Sequence, residues 1–367
     1  MSAPCRVALL TAVDLWLDGA GHRARIHALC EALSRHTQLT LLLPLAPTAE
    51  VRRLLAERLP RVQVCSLDLP ASGSRAQALG ALQAFFAAQP QQACIVEYLS
   101  LGWMRRAIPP DVLTLVDTHD VVSQRDAELA TLAPLDRPVL RPEQEAAQLR
   151  VFDRVIAISA ADAAVFAGWV GPGRVLLVPH LQTLRPLSLR AQARRALFVG
   201  SAYAPNLDGL RWLLQNVWPA LADTGLQLDV VGDVGPRLGL GLGLADAPGL
   251  RVHGRVADLE AAYAAADIVV NPVRHGSGMK IKTVEALAHG LPLVSTGHGV
   301  RGLAHVPDDP AFVVADDAAA FALALRHLAT DSAARQRLGR RALQLAEDCF
   351  AEGPALRPLL AALGQAA

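Results

Sequence analysis

The stretch NPVRHGSGMKIKTVEALAHGLPLVST, residues 271–296, decides the fold of this chain. Two glycines, Gly276 and Gly278, precede a segment whose apolar residues recur at helical spacing, and Gly290 ends that segment. Short apolar runs flank it on both sides, as β-strands do. The stretch is therefore predicted to form a strand, a glycine turn, a helix over 279–289 and a second strand, the repeating unit of a parallel α/β sheet.

The only two lysines of the chain, Lys280 and Lys282, follow this glycine turn, whereas the other 33 of its 35 basic residues are arginine. Glycines allow backbone N–H groups to approach an anion, the N-terminus of a helix favours negative charge, and a compact ammonium group adds a full positive charge. This combination predicts a phosphate or diphosphate site. The alternative is a chance pair of lysines on a solvated helix face.

Glu285 lies one helical turn after Lys282, on the same face of the predicted helix. A carboxylate at that position could accept two hydroxyl hydrogen bonds, as recognition of a ribose requires. The alternative is an ion pair on the helix surface, which contributes a few tenths of a kcal/mol. We favour Lys282 over Lys280 as the diphosphate ligand because Lys282 shares a face with Glu285.

Short apolar runs alternate with helix-length amphipathic segments through most of the 367 residues, which predicts two doubly wound α/β domains. The polar, basic stretch 180–195 has no strand pattern and is the predicted linker. A helix is predicted over 206–216, and the alternating glycines and leucines at 238–244 are a predicted loop that lacks a dinucleotide fingerprint. Two such domains predict a ligand cleft at the carboxyl ends of their strands.

Composition excludes several classes of function. The net charge of +1 and the aromatic content of 4% give no basis for nucleic-acid binding. The five cysteines are scattered and lack Cys-x-x-Cys spacing, which predicts free thiols and a cytoplasmic location. No run reaches the roughly 18 apolar residues of a transmembrane helix. The basic residues near 52–61 predict a solvated helix face, with peripheral docking on an anionic inner-membrane surface as the alternative.

The pattern that begins at Gly276 and ends at Thr296 resembles the donor-site signature of group 1 glycosyltransferases, which have the GT-B fold. Three further segments resemble this family in the same order along the chain. Residues 197–213 are similar to its glycine loop, in the subgroup of bacterial polysaccharide-type sugar transferases that carries a Pro-Asn pair. Residues 228–233 match its next strand, and residues 252–263 resemble the loop that meets the nucleotide base.

This resemblance implies a nucleotide-sugar donor held by backbone amides, basic side chains and a carboxylate on the ribose. The implied donor-binding residues are Gly200, Asn206, Gly232, Arg255, Val256, Gly276, Ser277, Gly278, Lys280, Lys282, Thr283 and Glu285. The turn amides and the two lysines would hold the diphosphate, and Glu285 would hold the ribose.

Two departures from the family pattern limit what the resemblance implies. Many relatives carry a glutamate eight residues before the one that corresponds to Glu285, and that glutamate contacts the donor sugar, whereas this chain has Ser277 there. Residues 201–206 also stand where relatives carry an arginine and a lysine. The selectivity for the sugar is therefore not implied, and Lys280 and Lys282 are the predicted cationic ligands.

The N-terminal half offers two further candidates. Gly19, Gly21 and His22 resemble the family's glycine-rich loop, which approaches the diphosphate and the sugar from across the cleft; an ordinary strand-to-helix turn is the alternative. His119 and Asp120 follow a predicted strand at its carboxyl end. His119 matches a histidine that relatives place near the transferred sugar, and Asp120 would orient it or face the acceptor. A loop histidine without a catalytic role is the alternative.

The resemblance implies an N-terminal Rossmann-like domain over 1–183 that binds the acceptor and a C-terminal Rossmann-like domain over 184–349 that binds the nucleotide-sugar. The two would face each other across a cleft, and a helix within 350–367 would return to the N-terminal domain. The implied reaction is a retaining sugar transfer to a glycan or lipid-linked acceptor in bacterial surface-glycan biosynthesis, with closure of the cleft excluding water.

No metal or cofactor is expected. Relatives generally use amides, a helix dipole and basic residues to stabilise the leaving diphosphate, and Asp117, His119 and Asp120 are not predicted to point the same way. Two alternatives to a transferase stay open. One is a sugar-nucleotide epimerase of the same fold, which would need paired carboxylates and histidines. The other is a catalytically silent nucleotide-sugar-binding subunit, which the serine at position 277 would suit.

Overall fold

The computed structural model describes residues 4–70, 72–132, 134–135, 137–237, 247–304 and 306–364. The predicted glycine–leucine loop at 238–244 lies outside the described residues. The chain divides by its internal contacts into two units. The first comprises Met1–Ser123, Val139–Leu181 and Glu352–Ala367, and the second comprises Gln124–Pro138 and Gln182–Ala351.

Within the described residues, the first unit contains a seven-stranded parallel sheet with the order β3-β2-β1-β4-β5-β6-β7. Its strands are β1 (Arg6–Leu10), β2 (Gln38–Leu43), β3 (Gln63–Ser66), β4 (Ala93–Glu97), β5 (Leu113–Asp117), β6 (Arg154–Ala157) and β7 (Val175–Leu177). Its helices are α1 (Gly21–His36), α2 (Ala49–Arg58), α3 (Arg75–Ala88), α4 (Val122–Ala130), α5 (Pro142–Leu149) and α6 (Ala160–Val170), of which α4 continues into the second unit.

Both faces of this sheet are covered, as a parallel sheet requires. Alternate residues of β1 point to opposite faces, so Leu9 packs in one apolar cluster with Ile95 of β4, and Leu10 packs in another with Val96. All five residues of β4 are buried, including the acidic Glu97 at its end. Strand β4 therefore places the carboxylate of Glu97 at the carboxyl end of the central strands.

The second unit contains a parallel sheet with the order β10-β9-β8-β11-β12-β13 among the described residues. Its strands are β8 (Arg195–Val199), β9 (Gln227–Val231), β10 (Leu250–Gly254), β11 (Ile268–Asn271), β12 (Leu293–Ser295) and β13 (Val313–Val314). Its remaining helices are α7 (Ala204–Trp212), α8 (Leu259–Ala265), α9 (Ile281–Ala288), α10 (Ala318–Thr330) and α11 (Ser332–Phe350). The predicted α/β class with two parallel sheets is confirmed.

Two predicted helices begin at different residues from those expected. The helix predicted over 206–216 begins earlier, at Ala204, because Pro205 is favoured in the first turn, and it continues beyond Trp212 as a π-helical turn. The helix predicted over 279–289 begins at Ile281, because Lys280 is extended (φ −90°, ψ 104°) and serves as its N-cap residue. The linker stretch 180–195 contains no helix and no strand before β8 begins.

The final helix, α12 (Glu352–Ala362), belongs to the first unit. Its apolar residues Leu356 and Leu359 are buried in the same cluster as Ile26 and Leu33 of α1. At its start, the guanidinium of Arg35 donates to the carboxylate of Glu352, with Nε 3.1 Å from Oε1. None of the described helices is both long and apolar enough to cross a membrane.

Replacing Leu359 with alanine should lower the free energy of unfolding of the first unit by about 2–5 kcal/mol, because it removes a fully buried side chain and leaves a cavity. Urea denaturation followed by circular dichroism measures this loss. The matched control is Leu323→Ala on α10, where the side chain is 69% exposed and truncation should change stability by less than about 0.5 kcal/mol. Equal effects of the two substitutions would contradict the packing of α12.

Candidate functional site

The glycine turn between β11 and α9 is held together by Lys280. Its ammonium group donates to the carbonyl oxygens of Gly276 (2.7 Å), Ser277 (3.0 Å) and Gly278 (3.0 Å). Gly276 and Gly278 have φ of +93° and +74°, a region that glycine enters without strain. Because the carbonyls of the turn face this ammonium group, Lys280 contributes to the shape of the turn as well as to its charge.

Lys282 lies in the first turn of α9, and its ammonium group donates to Asn206 Oδ1 at 2.8 Å. It also lies 4.3 Å from the centre of the Phe198 ring, a cation–π geometry. Burial, with a smaller contribution from the neighbouring charge of Lys280, lowers the pKa of Lys282 to about 7. The charge of Lys282 is therefore poorly compensated within the protein, and an added anion would stabilise it.

Asn206 connects two of the predicted donor-site segments. Its amide nitrogen donates to the carbonyl oxygen of Ser201 at 3.1 Å, while its amide oxygen receives the hydrogen bond from Lys282. The Pro-Asn segment at the start of α7 and the lysines at the start of α9 are therefore in direct contact.

Gly200 and Gly232 follow β8 and β9, where the two backbone segments approach each other too closely for a side chain. A Cβ atom on Gly232, whose φ is +102°, would lie 2.2 Å from the carbonyl oxygen of Gly200. The N–H of Gly232 donates to the carbonyl oxygen of Gly254 at 2.7 Å, which joins the end of β10 to the same region. The predicted glycines thus bring the ends of three neighbouring strands together.

Glu285 occupies the second turn of α9 and accepts a hydrogen bond from the hydroxyl group of Tyr263 at 2.6 Å. Burial raises the pKa of the Glu285 carboxyl, and the tyrosine opposes this shift. The Tyr263 ring stacks on the His289 ring at 4.7 Å, and His289 Nε2 lies 2.8 Å from Glu260 Oε2. The sequence did not indicate that Tyr263 supports Glu285 in this way.

The other predicted donor residues have different surroundings. The hydroxyl group of Thr283 is buried, donates to the Gly299 carbonyl oxygen at 2.8 Å and accepts from Asn271 at 2.9 Å, so it ties the turn to the next loop. Arg255 forms an exposed ion pair with Asp233, with Nη2 2.8 Å from Oδ2. Val256 is 37% exposed. The structure does not bring Arg255 or Val256 into hydrogen-bonding contact with the glycine turn among the described residues.

A second cluster lies at the carboxyl edge of the first sheet. Glu97 and Asp117 are partners in the register of β4 and β5, and His119 follows β5 by two residues. His119 Nε2 lies 2.7 Å from Glu97 Oε2 and 3.9 Å from Asp117 Oδ2. Arg25 of α1 donates from Nε and Nη2 to both oxygens of Asp117 at 2.9 Å.

Two residues of this cluster have strained backbones. Tyr98 and His119 have φ of +67° and +61°, which costs a residue with a Cβ atom about 1–2 kcal/mol. Their rings stack at 4.0 Å with 14° between the planes. Such strain concentrates at functional sites, and here it holds the imidazole against Tyr98 and Glu97. The buried acid at the end of an otherwise apolar strand was the signal that could have revealed Glu97.

The remaining predictions in the first unit fall around this cluster. Gly19 has φ of +89°, Gly21 begins α1, and the edge of the His22 ring faces Tyr98 at 6.3 Å between ring centres. Asp120 is partly buried and its charge contributes to raising the pKa of Glu145. The role of Asp120 beside His119 or the acceptor stays a prediction.

Glu97, Asp117 and His119 offer ligand atoms within 4.8 Å of one another, so the expectation that the side chains near His119 diverge was wrong for Asp117. Residues two apart at a strand end share a side. The Arg25 guanidinium already binds both oxygens of Asp117, however, and its positive charge disfavours a cation. That the site works without a metal stays a prediction.

Part of the chain is similar in sequence to known proteins. Residues 193–331 match the family model of group 1 glycosyl transferases. An uncharacterised 44.6 kDa protein in the cps region of Klebsiella pneumoniae is 30% identical over 115 residues, which is 29% of this chain and only 30% of that protein.

Solved structures match almost the whole chain, with low sequence identity. Sucrose-phosphate synthase from Thermosynechococcus elongatus covers 98% of this chain and 100% of its own, with a TM-score of 0.74 and 20% identity. HepE from Anabaena, solved with UDP and glucose, covers 98% and 99%, with a TM-score of 0.73 and 15% identity. TarM from S. aureus covers 98% and 99%, with a TM-score of 0.75 and 6% identity.

At these identities the structural matches concern the fold alone, and they confirm the predicted GT-B class. The family model covers the segment that contains the glycine turn, Lys282 and Glu285. Residues 193–331 therefore match the family domain of group 1 glycosyl transferases, within a chain that has the GT-B fold.

Proposed function

We propose that this protein transfers a sugar from a nucleotide-sugar to a hydroxyl group of a glycan or lipid-linked acceptor in bacterial surface-glycan biosynthesis. The observation that carries the proposal is the partly buried Lys282, whose ammonium group contacts Asn206 beside a glycine turn, within a family domain of this type. The similarity to a protein of a capsule (cps) region supports the choice of pathway class, and the UDP and glucose bound to HepE support the donor class.

In the proposed reaction, the bond between the anomeric carbon and the β-phosphate oxygen breaks, and its electron pair stays on the diphosphate. The acceptor hydroxyl group bonds to the same carbon and gives its proton to an oxygen of the departing diphosphate. Lys282 and the amides of the glycine turn stabilise the charge that develops on the diphosphate, and Glu285 accepts hydrogen bonds from the ribose. The transfer proceeds with retention and without a metal, as the resemblance to the family implies.

His119 is the proposed contact to the transferred sugar, and Glu97 is its positioning residue. The carboxylate of Glu97 assigns a proton to His119 Nε2, and the stacked Tyr98 ring fixes the plane of the imidazole. An oriented N–H or imidazolium can stabilise negative charge near the breaking bond. If the protein were a catalytically silent nucleotide-sugar-binding subunit, the strained backbone and buried contacts of His119 would have no catalytic purpose.

A thermal-shift panel of UDP, GDP, dTDP and their sugars tests the proposal directly. At least one sugar nucleotide should raise the melting temperature of the wild type, and Lys282→Ala should abolish that shift. His119→Ala should keep the shift and lose transfer. Nucleotide binding without turnover, unaffected by His119→Ala, would favour a silent subunit, and stabilisation by no compound in the panel would contradict the proposal.

Affinity for UDP should fall as the pH rises above 7. Binding of a diphosphate raises the pKa of Lys282 from about 7, so complex formation takes up a proton above that pH and weakens by up to about tenfold per pH unit. Isothermal titration calorimetry from pH 6.5 to 8.5 measures this. Lys282→Arg is the control, because arginine stays charged throughout. Parallel pH profiles for the wild type and the arginine variant would contradict the role of Lys282.

Replacing Glu97 with glutamine should lower kcat by about 10–100-fold, because it removes the charge that orients His119 within its general acid–base or electrostatic role. Binding of UDP should stay within about twofold of wild type, since Glu97 lies in the other unit. Steady-state kinetics and calorimetry measure the two quantities. The matched control is Glu143→Gln on α5, where the carboxylate is exposed. A kcat near that of the wild type would remove Glu97 from the mechanism.

A further inference from the structure

A carboxylate from outside the family domain is held against the glycine turn. Glu128, in α4, accepts a hydrogen bond from the N–H of Gly276, with Oε2 2.6 Å from the nitrogen. Its other oxygen, Oε1, accepts from Arg301 Nη1 at 2.9 Å, and His298 Nε2 lies 3.8 Å from Oε2. Residues 124–138, which include Glu128, group with the second unit by their contacts.

The segment that carries Glu128 is fixed in place by other polar contacts within the same unit. Arg301 uses its second terminal nitrogen to donate to Gln124, one turn earlier on α4, at 2.8 Å. Asp126, which is fully buried, receives two hydrogen bonds from Arg137, at 2.6 and 2.7 Å. The Glu128 carboxylate is therefore positioned by the segment on which it lies, as a recognition residue must be.

The glycine turn and its lysines supply hydrogen-bond donors, which suit a phosphate but cannot accept the O–H hydrogen bonds of a sugar. Recognition of hydroxyl groups calls for a fixed acceptor, and an ionised carboxylate has about four lone-pair positions. The protein contacts described above use two of those on Glu128. The neighbouring carboxylate of Asp208 is instead paired with Arg274, with both of its oxygens at 2.9 Å from Nη2.

The charge of Glu128 is also compatible with a nearby diphosphate. Arg301 neutralises it at 2.9 Å, and His298 stands on the other side. An ion pair of this kind presents oxygen acceptors with little net negative charge, so it repels a diphosphate far less than an isolated carboxylate does. The hydroxyl group of Ser277, between the two turn glycines, is neutral and is a weaker acceptor than a carboxylate.

We propose that Glu128 determines sugar specificity by accepting hydrogen bonds from hydroxyl groups of the sugar joined to the diphosphate. This inference rests on the proposed function, since it requires a nucleotide-sugar at the glycine turn. The competing interpretation is that Glu128 imitates a phosphate at the Gly276 amide and must leave before the donor binds. The two interpretations predict opposite effects on the binding of a nucleoside diphosphate without a sugar.

The experiment compares Kd for a nucleoside diphosphate and for its sugar nucleotide in the wild type, Glu128→Gln and Glu128→Ala. Three pairs are tried with the wild type: UDP with UDP-glucose, UDP with UDP-N-acetylglucosamine, and GDP with GDP-mannose. The variants are then measured with the pair that binds the wild type most tightly. Both substitutions should raise the Kd of the sugar nucleotide by about tenfold or more, because a hydrogen bond to a charged group is lost. Binding of the plain diphosphate should stay within about twofold.

Glu347→Gln is the matched control, because Glu347 is an exposed carboxylate on α11 of the same unit. It should leave both dissociation constants unchanged. Tighter binding of the plain diphosphate by Glu128→Ala would overturn the proposal in favour of the phosphate-mimic interpretation. An equal rise in the Kd of both ligands would mean that Glu128 only stabilises the conformation of the turn, and would contradict the proposal. If the wild type binds none of the pairs, the proposed function fails, and this inference fails with it.

Discussion

The hydrogen bonds from Lys280 to three carbonyl oxygens of the glycine turn are the interaction on which the geometry of the predicted donor site depends. An ammonium group has three protons, and here each can be given to a different carbonyl of residues 276–278. At the start of the same turn, the amide of Gly276 donates to the carboxylate of Glu128. An arginine in place of Lys280 could not bond the three carbonyls in the same way, because its donors lie in one plane. This explains physically why a chain so poor in lysine has one at this position.

The two lysines therefore have different tasks. Lys280 is committed to the backbone of the turn, whereas Lys282 has one side-chain acceptor, Asn206, and an aromatic ring as its neighbours. The pKa of Lys282 falls to about 7 because it is buried beside another cation. An anionic ligand stabilises the charged form of such a lysine, because the lysine is only partly protonated near neutral pH. The cluster around His119 is balanced differently, since Arg25 pairs with Asp117 and the imidazole pairs with Glu97.

Sequence reasoning succeeded where the relevant residues were close together along the chain. The order of strands and helices and the glycine turn follow from spacings within one α/β unit, whereas the roles of Lys282 and Glu285 stay predictions. It was less successful at helix starts, because Lys280 is extended and caps α9, and Pro205 stands in the first turn of α7. It was wrong that Asp117 and His119 point apart, because residues two apart at a strand end share a side. It missed Glu97, because Glu97 reaches His119 from a neighbouring strand whose pairing partner cannot be known from local spacing.

The sequence by itself determined the alternation of strands and helices, the glycines needed at close backbone approaches, and the family to which the donor signature is similar. Those properties depend on the periodicity of apolar residues and on local backbone geometry. Only the tertiary structure decided that Glu128, 148 positions before Gly276, lies on its amide, and that Tyr98 and Glu97 hold His119. Such contacts depend on how distant segments pack, because a hydrogen bond requires proximity in space and not along the chain.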